Sequence, residues 1–141
     1  MNVAVFGASG MIGSAFCRAA VRRGFNTVAF SNSRPVDVEG ISAAERLDLN
    51  DPQLLERPLL DGWPQLIINA AAVADYQTLS EDPAAAARIN VDLPSRLAEI
   101  SNHIGARFLH LSSDMVFDGV SPPYRSTDIP NPLTTYGKQK L

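Results

Sequence analysis

Short apolar runs alternate with amphipathic stretches along the first half of the chain. The runs at Asn2–Phe6 and Asn26–Phe30 have the composition of short buried strands. Between them, apolar residues recur at helical spacing over Met11–Arg23, which predicts a helix that Gly24 ends. A third, shorter strand is predicted at Arg46–Leu49. The buried face of the first helix is expected to comprise Ile12, Ala15, Phe16, Ala19 and Ala20.

The same alternation continues through the middle of the chain. Asp51 is placed to cap a helix that begins at Pro52 and extends to about Leu60. Gln65–Asn69 then has the continuous apolar character of a buried strand.

The last part of the chain adds a long helical region, a strand, a loop and a final helix. The Ala- and Leu-rich stretch "DPAAAARINVDLPSRLAEISNHIG" predicts a helical region with a kink or boundary at Pro94 and an end at Gly105. Arg107–Leu111 is the fifth predicted strand. A loop rich in Pro, Gly, Ser and Asp spans Val116–Pro132, and a last helix is predicted from near Pro132 to the end of the chain.

Strands and helices thus alternate over the whole sequence. This order predicts an α/β fold, a Rossmann-type doubly wound parallel sheet with helices on both faces. A length of 141 residues suits one domain covering 1–141, and a hydrophobic content of 45% suits a packed core.

Composition narrows the classes of partner and compartment. The net charge of −3, without a basic stripe, argues against nucleic acid as a partner. The single Cys17 excludes an intrachain disulfide, and we expect it to pack as a small hydrophobe in the first helix. No apolar run approaches about 18 residues, and the first residues lack a basic segment. We therefore expect neither a membrane span nor a signal peptide, and a cytoplasmic location.

Three glycines lie in the predicted turn between the first strand and the first helix. Gly7, Gly10 and Gly13 have the spacing G-x-x-G-x-x-G. In a parallel sheet, ligands bind beyond the carboxyl ends of the strands. Glycines there allow a tight turn, the approach of a pyrophosphate to the backbone, and close packing of helix on strand. A purely structural turn is the alternative.

The residues at the end of the second strand indicate which dinucleotide cofactor the glycine turn would bind. An acidic residue there would bind the 2′-hydroxyl of NAD, but the sequence has "SNSR" from Ser31 to Arg34. Serines and an arginine suit a 2′-phosphate, so NADP(H) is expected in preference to NAD(H). An Arg34 that is simply exposed in a turn is the alternative.

Later segments resemble a known family. "INAAA", "RINVDLPSRLAEI" and above all "HLSSDMVFDGVSPPYRSTDIPNPLTTYGKQKL" are similar to the extended short-chain dehydrogenases/reductases, and most to their dTDP-4-dehydrorhamnose reductase type. The resemblance covers nearly the whole chain. It implies an NADPH-dependent reductase of a 4-keto sugar nucleotide, without a bound metal and with a possible homodimer at full length.

The resemblance also implies a set of site residues. Tyr136 and Lys140 match its Tyr-x-x-x-Lys pair, and Ser113 matches its catalytic hydroxyl. Asp114 is a candidate for orienting substrate, with loop capping as the alternative. The implied cofactor-binding residues are Gly7, Ser9, Gly10, Met11, Ile12, Gly13, Arg34, Asp48, Leu49, Ala70, Ala71, Ala72, Tyr136 and Lys140.

Elementary chemistry agrees with the implied catalytic pair. Tyr136 and Lys140 are four residues apart, so a helix presents them on one face. A free tyrosine has a pKa of about 10, and a neighbouring ammonium lowers it. Tyr136 can then give a proton to a carbonyl while hydride arrives from the cofactor. Ser113 would hydrogen-bond the reacting oxygen.

For the remaining candidate residues, an ordinary structural role is the alternative to a functional one. Asn90 has a structural or proton-relay role in the family, or is an ordinary polar residue of a helix. His103 and His110 lack the spacing of metal ligands and are expected to be a surface and a strand residue. Tyr124 and Trp63 are expected to pack.

Two departures and the chain length leave the function open at the level of substrate. Met115 stands where the reductase type usually has tyrosine, and Ser126 stands where it usually has an acid. Full-length relatives continue for about another half, so the chain is expected to be a fragment that binds cofactor and turns over poorly. The alternatives are a non-catalytic NADP-binding subunit similar to the methionine adenosyltransferase β subunit, and a nucleotide-sugar epimerase or dehydratase.

Overall fold

Five parallel strands form one sheet, in the order β3-β2-β1-β4-β5. The computed structural model describes residues 1–141, apart from the side chain of Pro52. Every neighbouring pair in the sheet is parallel, with Val3 opposite both Thr27 and Leu66. The strands are β1 (Asn2–Phe6), β2 (Asn26–Ser31), β3 (Ala43–Arg46), β4 (Leu66–Asn69) and β5 (Arg107–His110).

Helices connect the strands and end at recognisable caps. Asp51 caps a short 3-10 turn at Pro52–Leu55 by accepting a hydrogen bond from the N–H of Gln53 at 3.0 Å. Gly24 lies two residues after the end of α1 and Gly105 directly follows α5, and both adopt positive φ. The helices are α1 (Met11–Arg22), α2 (Glu56–Gly62), α3 (Tyr76–Glu81), α4 (Pro83–Ala87), α5 (Leu93–Ile104) and α6 (Thr135–Lys140).

Both faces of the sheet are buried, as expected for a doubly wound fold. In β1, Ala4 and Phe6 belong to one core cluster, while Val3 and Val5 belong to a second cluster with Cys17 of α1. The first cluster contains Leu59 of α2 and Leu93, Leu97 and Ile100 of α5. Burial of alternate strand residues against helices on opposite faces explains why the central strands β1, β2 and β4 are largely apolar. The α/β, Rossmann-type prediction is thereby confirmed.

The buried face of α1 differs from the predicted one. Gly13, Cys17 and Ala20 are buried, whereas Ile12 is 51% exposed and Ala15 is exposed. A Cβ on Gly13 would overlap the carbonyl oxygen of Gly7. Helix α1 is therefore rotated so that its one residue without a side chain faces the glycine turn.

Three boundaries also differ. Strand β3 lies three residues earlier than the predicted Arg46–Leu49, because the chain pairs with β2 up to Arg46 and then turns at Asp48. A π-helical turn at Arg88–Asp92 separates α4 from α5, so the boundary predicted at Pro94 lies just before it. Helix α6 begins at Thr135 rather than near Pro132, because the Thr134 side chain caps it at the N–H of Gly137.

Helix α3 has no counterpart in the sequence prediction. Asp75 caps it by accepting from the N–H of Thr78 at 2.8 Å. Within the described part of the chain, no helix is both long enough and apolar enough to cross a membrane.

Candidate functional site: the carboxyl edge of the sheet

The glycine turn after β1 lies against the loop after β4. Gly7 has a φ of +73°, a conformation that side chains disfavour. A Cβ at Gly7 would lie 2.5 Å from the amide nitrogen of Ala71 and 2.7 Å from the carbonyl carbon of Ala70. The absence of a side chain at Gly7 is thus what allows these two strand ends to meet.

Helix α1 begins at this turn and offers backbone N–H groups. Gly10 is its N-terminal cap, in an extended conformation and without a side-chain hydrogen bond to the helix. The N–H groups of the first helical residues therefore have no acceptor within the helix, and they carry the positive end of its dipole. The side chains of Met11 and Ile12 are 85% and 51% exposed, while Ser9 is half-buried in the turn.

The turn after β2 presents polar groups. Asn32, Ser33 and Arg34 are exposed. Ser31 is only 1% exposed, and among the described residues its hydroxyl oxygen has no hydrogen-bond partner. The sequence motif "SNSR" is thus an exposed turn anchored by a buried serine.

The loops after β3 and β4 complete this edge. The carboxylate of Asp48 accepts from the backbone and side-chain nitrogens of Asn50 at 2.9 and 2.8 Å, and these hydrogen bonds lower the pKa of Asp48. Leu49 is buried in the core, so any contact with a ligand falls to its backbone. Ala70 is half-buried, Ala71 buried and Ala72 exposed.

Helix α6 lies close to the loop after β5. The contact is made at Gly137, which is not among the site residues predicted from the sequence. A Cβ on Gly137 would overlap the carbonyl oxygen of Met115 and lie 3.0 Å from the Pro132 side chain. Gly137 is the residue after Tyr136 and thus permits the approach of the helix that carries the Tyr-x-x-x-Lys pair. Its position after a matched tyrosine is the signal that could have found it.

Lys140 is 6% exposed at the end of α6. Its Nζ lies 3.2 Å from Nε2 of His110, the last residue of β5. Burial lowers the pKa of Lys140. Burial lowers the pKa of His110, and a protonated Lys140 beside it would lower that pKa further. The predicted strand position of His110 is correct, but its contact with Lys140 was not anticipated.

A further contact ties this pair to the glycine turn. Nδ1 of His110 lies 3.2 Å from Nδ2 of Asn69, at the carboxyl end of β4. Oδ1 of the same Asn69 accepts from the N–H of Ala71 at 3.1 Å. Asn69 is fully buried, so its amide connects the loop beside Gly7 with the end of α6.

The other two predicted catalytic residues are placed differently. Tyr136 is half-buried and lines a cavity of about 370 Å³ with Tyr76, Leu79 and Met115. The Ser113 hydroxyl accepts from the N–H of Met115 at 3.2 Å and donates to Asp114 at 3.2 Å. Ser113 thus caps the 3-10 turn at Asp114–Val116, and the described residues include no hydrogen bond between Ser113 and Tyr136.

Asn90 has a structural role in this arrangement. Its side chain accepts from the N–H of Val73 at 2.9 Å and donates to the Val73 carbonyl at 2.8 Å. It also donates to Gln139 at 2.8 Å, and Gln139 donates to the carbonyl of Pro83. Asn90 therefore fastens both the loop after β4 and helix α6 to the π-helical turn.

The loop between the 3-10 turn and α6 is organised by one carboxylate. Asp118 accepts from the Tyr124 hydroxyl at 2.5 Å and from Asn131 at 3.0 Å. These bonds, with that from the Val120 N–H, lower the pKa of Asp118 to about 2. Tyr124 also stacks on Phe117 with ring centroids 4.4 Å apart, so it packs as predicted.

Two aromatic or basic residues lie outside this edge. Trp63 ends α2 in a left-handed conformation and is 53% exposed, so the prediction that it packs is wrong. His103 is an exposed residue of α5, as predicted. Across the described residues, no group of three or more His, Cys, Asp or Glu side chains is placed to hold a metal ion.

A cavity of about 730 Å³ is lined by residues of β1, β2 and β3 and of the segment from the 3-10 turn to α2. Its lining extends from Asn2 and Asn26, at the amino ends of β1 and β2, to Phe30 and Leu47, near the carboxyl ends of β2 and β3. Among the described residues this cavity has no close glycine contact, whereas the turn from Gly7 to Gly13 combines such contacts with the N-terminus of α1. We therefore place the candidate site at the carboxyl edge, although its cavities are smaller.

Comparisons with known proteins agree on the family. The family model described as RmlD substrate binding domain matches residues 1–141. The chain is 36% identical to the methionine adenosyltransferase 2 subunit beta of Bos taurus, over 99% of this chain and 40% of that protein. It is 38% identical to the dTDP-4-dehydrorhamnose reductase of Burkholderia thailandensis, over 70% of this chain and 34% of that protein.

Solved structures give the same result. A hypothetical dTDP-4-dehydrorhamnose reductase from Sulfolobus tokodaii superposes with a TM-score of 0.88 at 31% identity, covering 99% of this chain and 49% of that one. MoeE5 in complex with UDP-glucuronic acid and NAD superposes with a TM-score of 0.83 at 28% identity, covering 99% and 46%. The chain spans half or less of the length of the proteins that it matches. It belongs to the RmlD substrate-binding domain family, among the extended short-chain dehydrogenases/reductases of the dTDP-4-dehydrorhamnose reductase type.

Proposed function

We propose that the chain is the cofactor-binding part of an NADP(H)-dependent reductase that acts on a 4-keto sugar nucleotide. The observation that carries the proposal is the turn from Gly7 to Gly13, where bare backbone and the N-terminus of α1 meet at the carboxyl edge of the sheet. A cradle of this kind suits a pyrophosphate, because N–H groups and the helix dipole both favour an anion.

The preference for NADP(H) rests on the turn after β2. Arg34 is exposed there with Asn32 and Ser33, and the turn has no acidic side chain. A guanidinium binds a phosphate through charge-assisted hydrogen bonds, whereas the 2′-hydroxyl of NAD would call for a carboxylate. Asp48 and the backbone of Leu49 would lie beside the adenine, and Ala70, Ala71 and Ala72 would leave room for the ribose.

The catalytic roles fall to Tyr136, Lys140 and Ser113. When bound, the cofactor supplies the hydride. Tyr136 donates a proton from its hydroxyl to the oxygen of the ketone, and Lys140 as an ammonium would stabilise the resulting phenolate. Ser113 would have to turn its hydroxyl from Asp114 to that oxygen, which costs one exposed hydrogen bond. Asp114 would then be free to orient the substrate.

Ligand-dependent thermal stability tests the cofactor half of the proposal. A ligand that binds only the native state raises the melting temperature in proportion to its affinity and concentration. We expect a clear rise with NADPH, a smaller rise with NADH, and loss of the difference in Arg34→Ala. Arg57→Ala, which removes an exposed arginine of α2 instead of one in the turn after β2, is the matched control and should keep the preference. Equal shifts with both cofactors in the unaltered chain would contradict the proposed role of Arg34.

A non-catalytic NADP-binding subunit is the second candidate. It is favoured by the Ser113 hydroxyl, which is already engaged in capping the 3-10 turn, and by Met115 at the position after Asp114. The 36% identity with a methionine adenosyltransferase 2 subunit beta is in keeping with it. A chain extended to the length of its relatives decides between the two: reduction of a 4-keto sugar nucleotide, lost in Tyr136→Phe, supports the reductase. Tight NADPH binding without turnover supports the subunit.

A further inference from the structure

The buried contacts between Ala71 and Lys140 form a chain of hydrogen bonds with a fixed direction. A backbone N–H can only donate, so the N–H of Ala71 must find an acceptor, and Oδ1 of Asn69 lies 3.1 Å from it. This bond fixes which way the Asn69 amide points. Its NH₂ group is then directed at Nδ1 of His110, 3.2 Å away.

The same direction of hydrogen bonding continues through the imidazole ring of His110. An NH₂ group donates, so Nδ1 of His110 must accept and cannot carry a proton. Burial lowers the pKa of His110, which favours a neutral ring, and a neutral ring with a bare Nδ1 carries its proton on Nε2. Nε2–H therefore donates to Nζ of Lys140, 3.2 Å away. Only an uncharged amine has the lone pair to accept it.

We propose that Asn69 and His110 are positioning residues that hold Lys140 as a neutral amine while no cofactor is bound. An ammonium at Nζ would meet an N–H at Nε2, which places donor against donor. The backbone N–H of Ala71, beside the glycine turn, thus determines the protonation state of Lys140, because it fixes the orientation of the Asn69 amide.

The surrounding charges do not oppose this assignment. The elements packed on α6 carry Asp114 on the 3-10 turn and Arg88 and Asp92 on the π-helical turn, and α6 itself carries Tyr136 and Lys138. Burial lowers the pKa of Lys140, and none of these carboxylates forms an ion pair with its Nζ within the described part of the chain. An ammonium at this site therefore lacks a compensating anion.

The consequence for catalysis rests on the proposed function. If Lys140 must be an ammonium to stabilise the Tyr136 phenolate, its amine has to leave His110 and take up a proton from solvent when the cofactor binds. Cofactor binding would then be linked to the uptake of one proton on Lys140.

The tautomer of His110 tests the assignment without any variant. In the cofactor-free, ¹⁵N-labelled chain, the imidazole nitrogen signals distinguish a protonated from a bare ring nitrogen. We expect a proton on Nε2 and a bare Nδ1. A proton on Nδ1 would overturn the proposal, because Nε2 would then accept from an ammonium.

The direction of a pKa change in one variant gives a second test. His110→Phe keeps the stacking on Phe108 but removes the N–H that stabilises the amine, so the titration midpoint of Lys140, followed by NMR, should rise. A fall or no change would overturn the proposal, since loss of an acceptor would destabilise an ammonium instead. His103→Phe, at an exposed position of α5, is the matched control and should leave the midpoint unchanged.

A third test uses a variant that reverses the direction of these hydrogen bonds. Asn69→Asp keeps the shape of the side chain but replaces its NH₂ donor with an acceptor, so we expect the proton of His110 to move to Nδ1. A tautomer that stays on Nε2 would overturn the argument. All three measurements use the cofactor-free chain, so failure of NADPH to bind would refute the proposed function and leave these results intact.

Discussion

A pair of alanine substitutions separates the two reasons for the glycine at position 7. Gly7 and Gly24 have nearly the same backbone conformation, with φ of +73° and +71°. At Gly24 a Cβ meets nothing within 4 Å, whereas at Gly7 it would lie 2.5 Å from the nitrogen of Ala71. Gly24→Ala therefore introduces backbone strain alone, and Gly7→Ala introduces the same strain together with an overlap.

The expected magnitudes follow from these contacts. The left-handed conformation costs a non-glycine residue about 1–2 kcal/mol, and this applies to both variants. Overpacking adds about 1–3 kcal/mol at Gly7, because the opposing atoms are backbone and cannot rotate away. Ala70 and Ala71 are held by hydrogen bonds to the Phe6 carbonyl and to Asn69, which resist a shift of the loop. The smaller freedom of alanine in the unfolded chain affects both variants alike and cancels in the comparison.

Urea unfolding followed by far-UV circular dichroism measures the difference. We expect Gly24→Ala to lower the free energy of unfolding by about 1–2 kcal/mol and Gly7→Ala by about 2–5 kcal/mol. Gly7→Ala should also abolish the rise in melting temperature with NADPH, and Gly24→Ala should retain it. Equal destabilisation of the two variants, within about 0.5 kcal/mol, would refute the close approach of the strand ends.

Three further predictions concern the remaining contacts. Gly137→Ala should lower the urea midpoint in spite of the higher helix propensity of alanine, whereas Gly62→Ala, in open space at the end of α2, should leave it unchanged or raise it; a rise in both would contradict the packing of α6. The pKa of Asp118 is depressed to about 2, so the stabilisation from its carboxylate is complete above its ordinary pKa of 3.8 and is lost as the pH falls toward 2. Tyr124→Phe should raise this pKa in an NMR titration, and an unchanged curve would contradict the assigned hydrogen bond. Burial raises the pKa of Cys17 to about 11, so a thiol reagent at pH near 8 should label it only after urea is added, and immediate labelling would contradict its burial.

Four of the five strands agree with their predicted bounds to within one residue; three of them are buried on both faces, and the fourth, β5, is an edge strand. β1, β2 and β4 are continuous apolar runs at the centre of the sheet, and their predicted bounds agree with the structure to within one residue. β3 is an edge strand with mostly exposed residues, so its sequence has no apolar run and its position follows from pairing with β2. Its predicted position was therefore wrong by three residues.

Contacts between backbones account for the misjudged helix face. By hydrophobicity, Ile12 and Ala15 are better candidates for burial than Gly13. The close contact of Gly13 with the Gly7 carbonyl nevertheless fixes the rotation of α1. A glycine repeat signals a close approach, but it does not state which backbone is approached.

The sequence predicts which residue types form the candidate site, but not the contacts between them. The glycine spacing and the Tyr-x-x-x-Lys pair indicate a cofactor turn and a catalytic helix. The contact of Lys140 with His110 joins residues that are 30 apart, and that of His110 with Asn69 joins residues 41 apart. Such contacts depend on the order of β4 and β5 in the sheet, which sequence periodicity alone does not provide.

The most direct test of the central claim is to map NADP⁺ binding on the ¹⁵N-labelled chain by NMR. Binding at the carboxyl edge predicts saturable changes in the amide signals of Met11, Ile12 and Gly13, together with those of Ala70 and Ala71. The absence of saturable changes would contradict the account. So would changes confined to the amino ends of the strands, at Asn2 and Asn26.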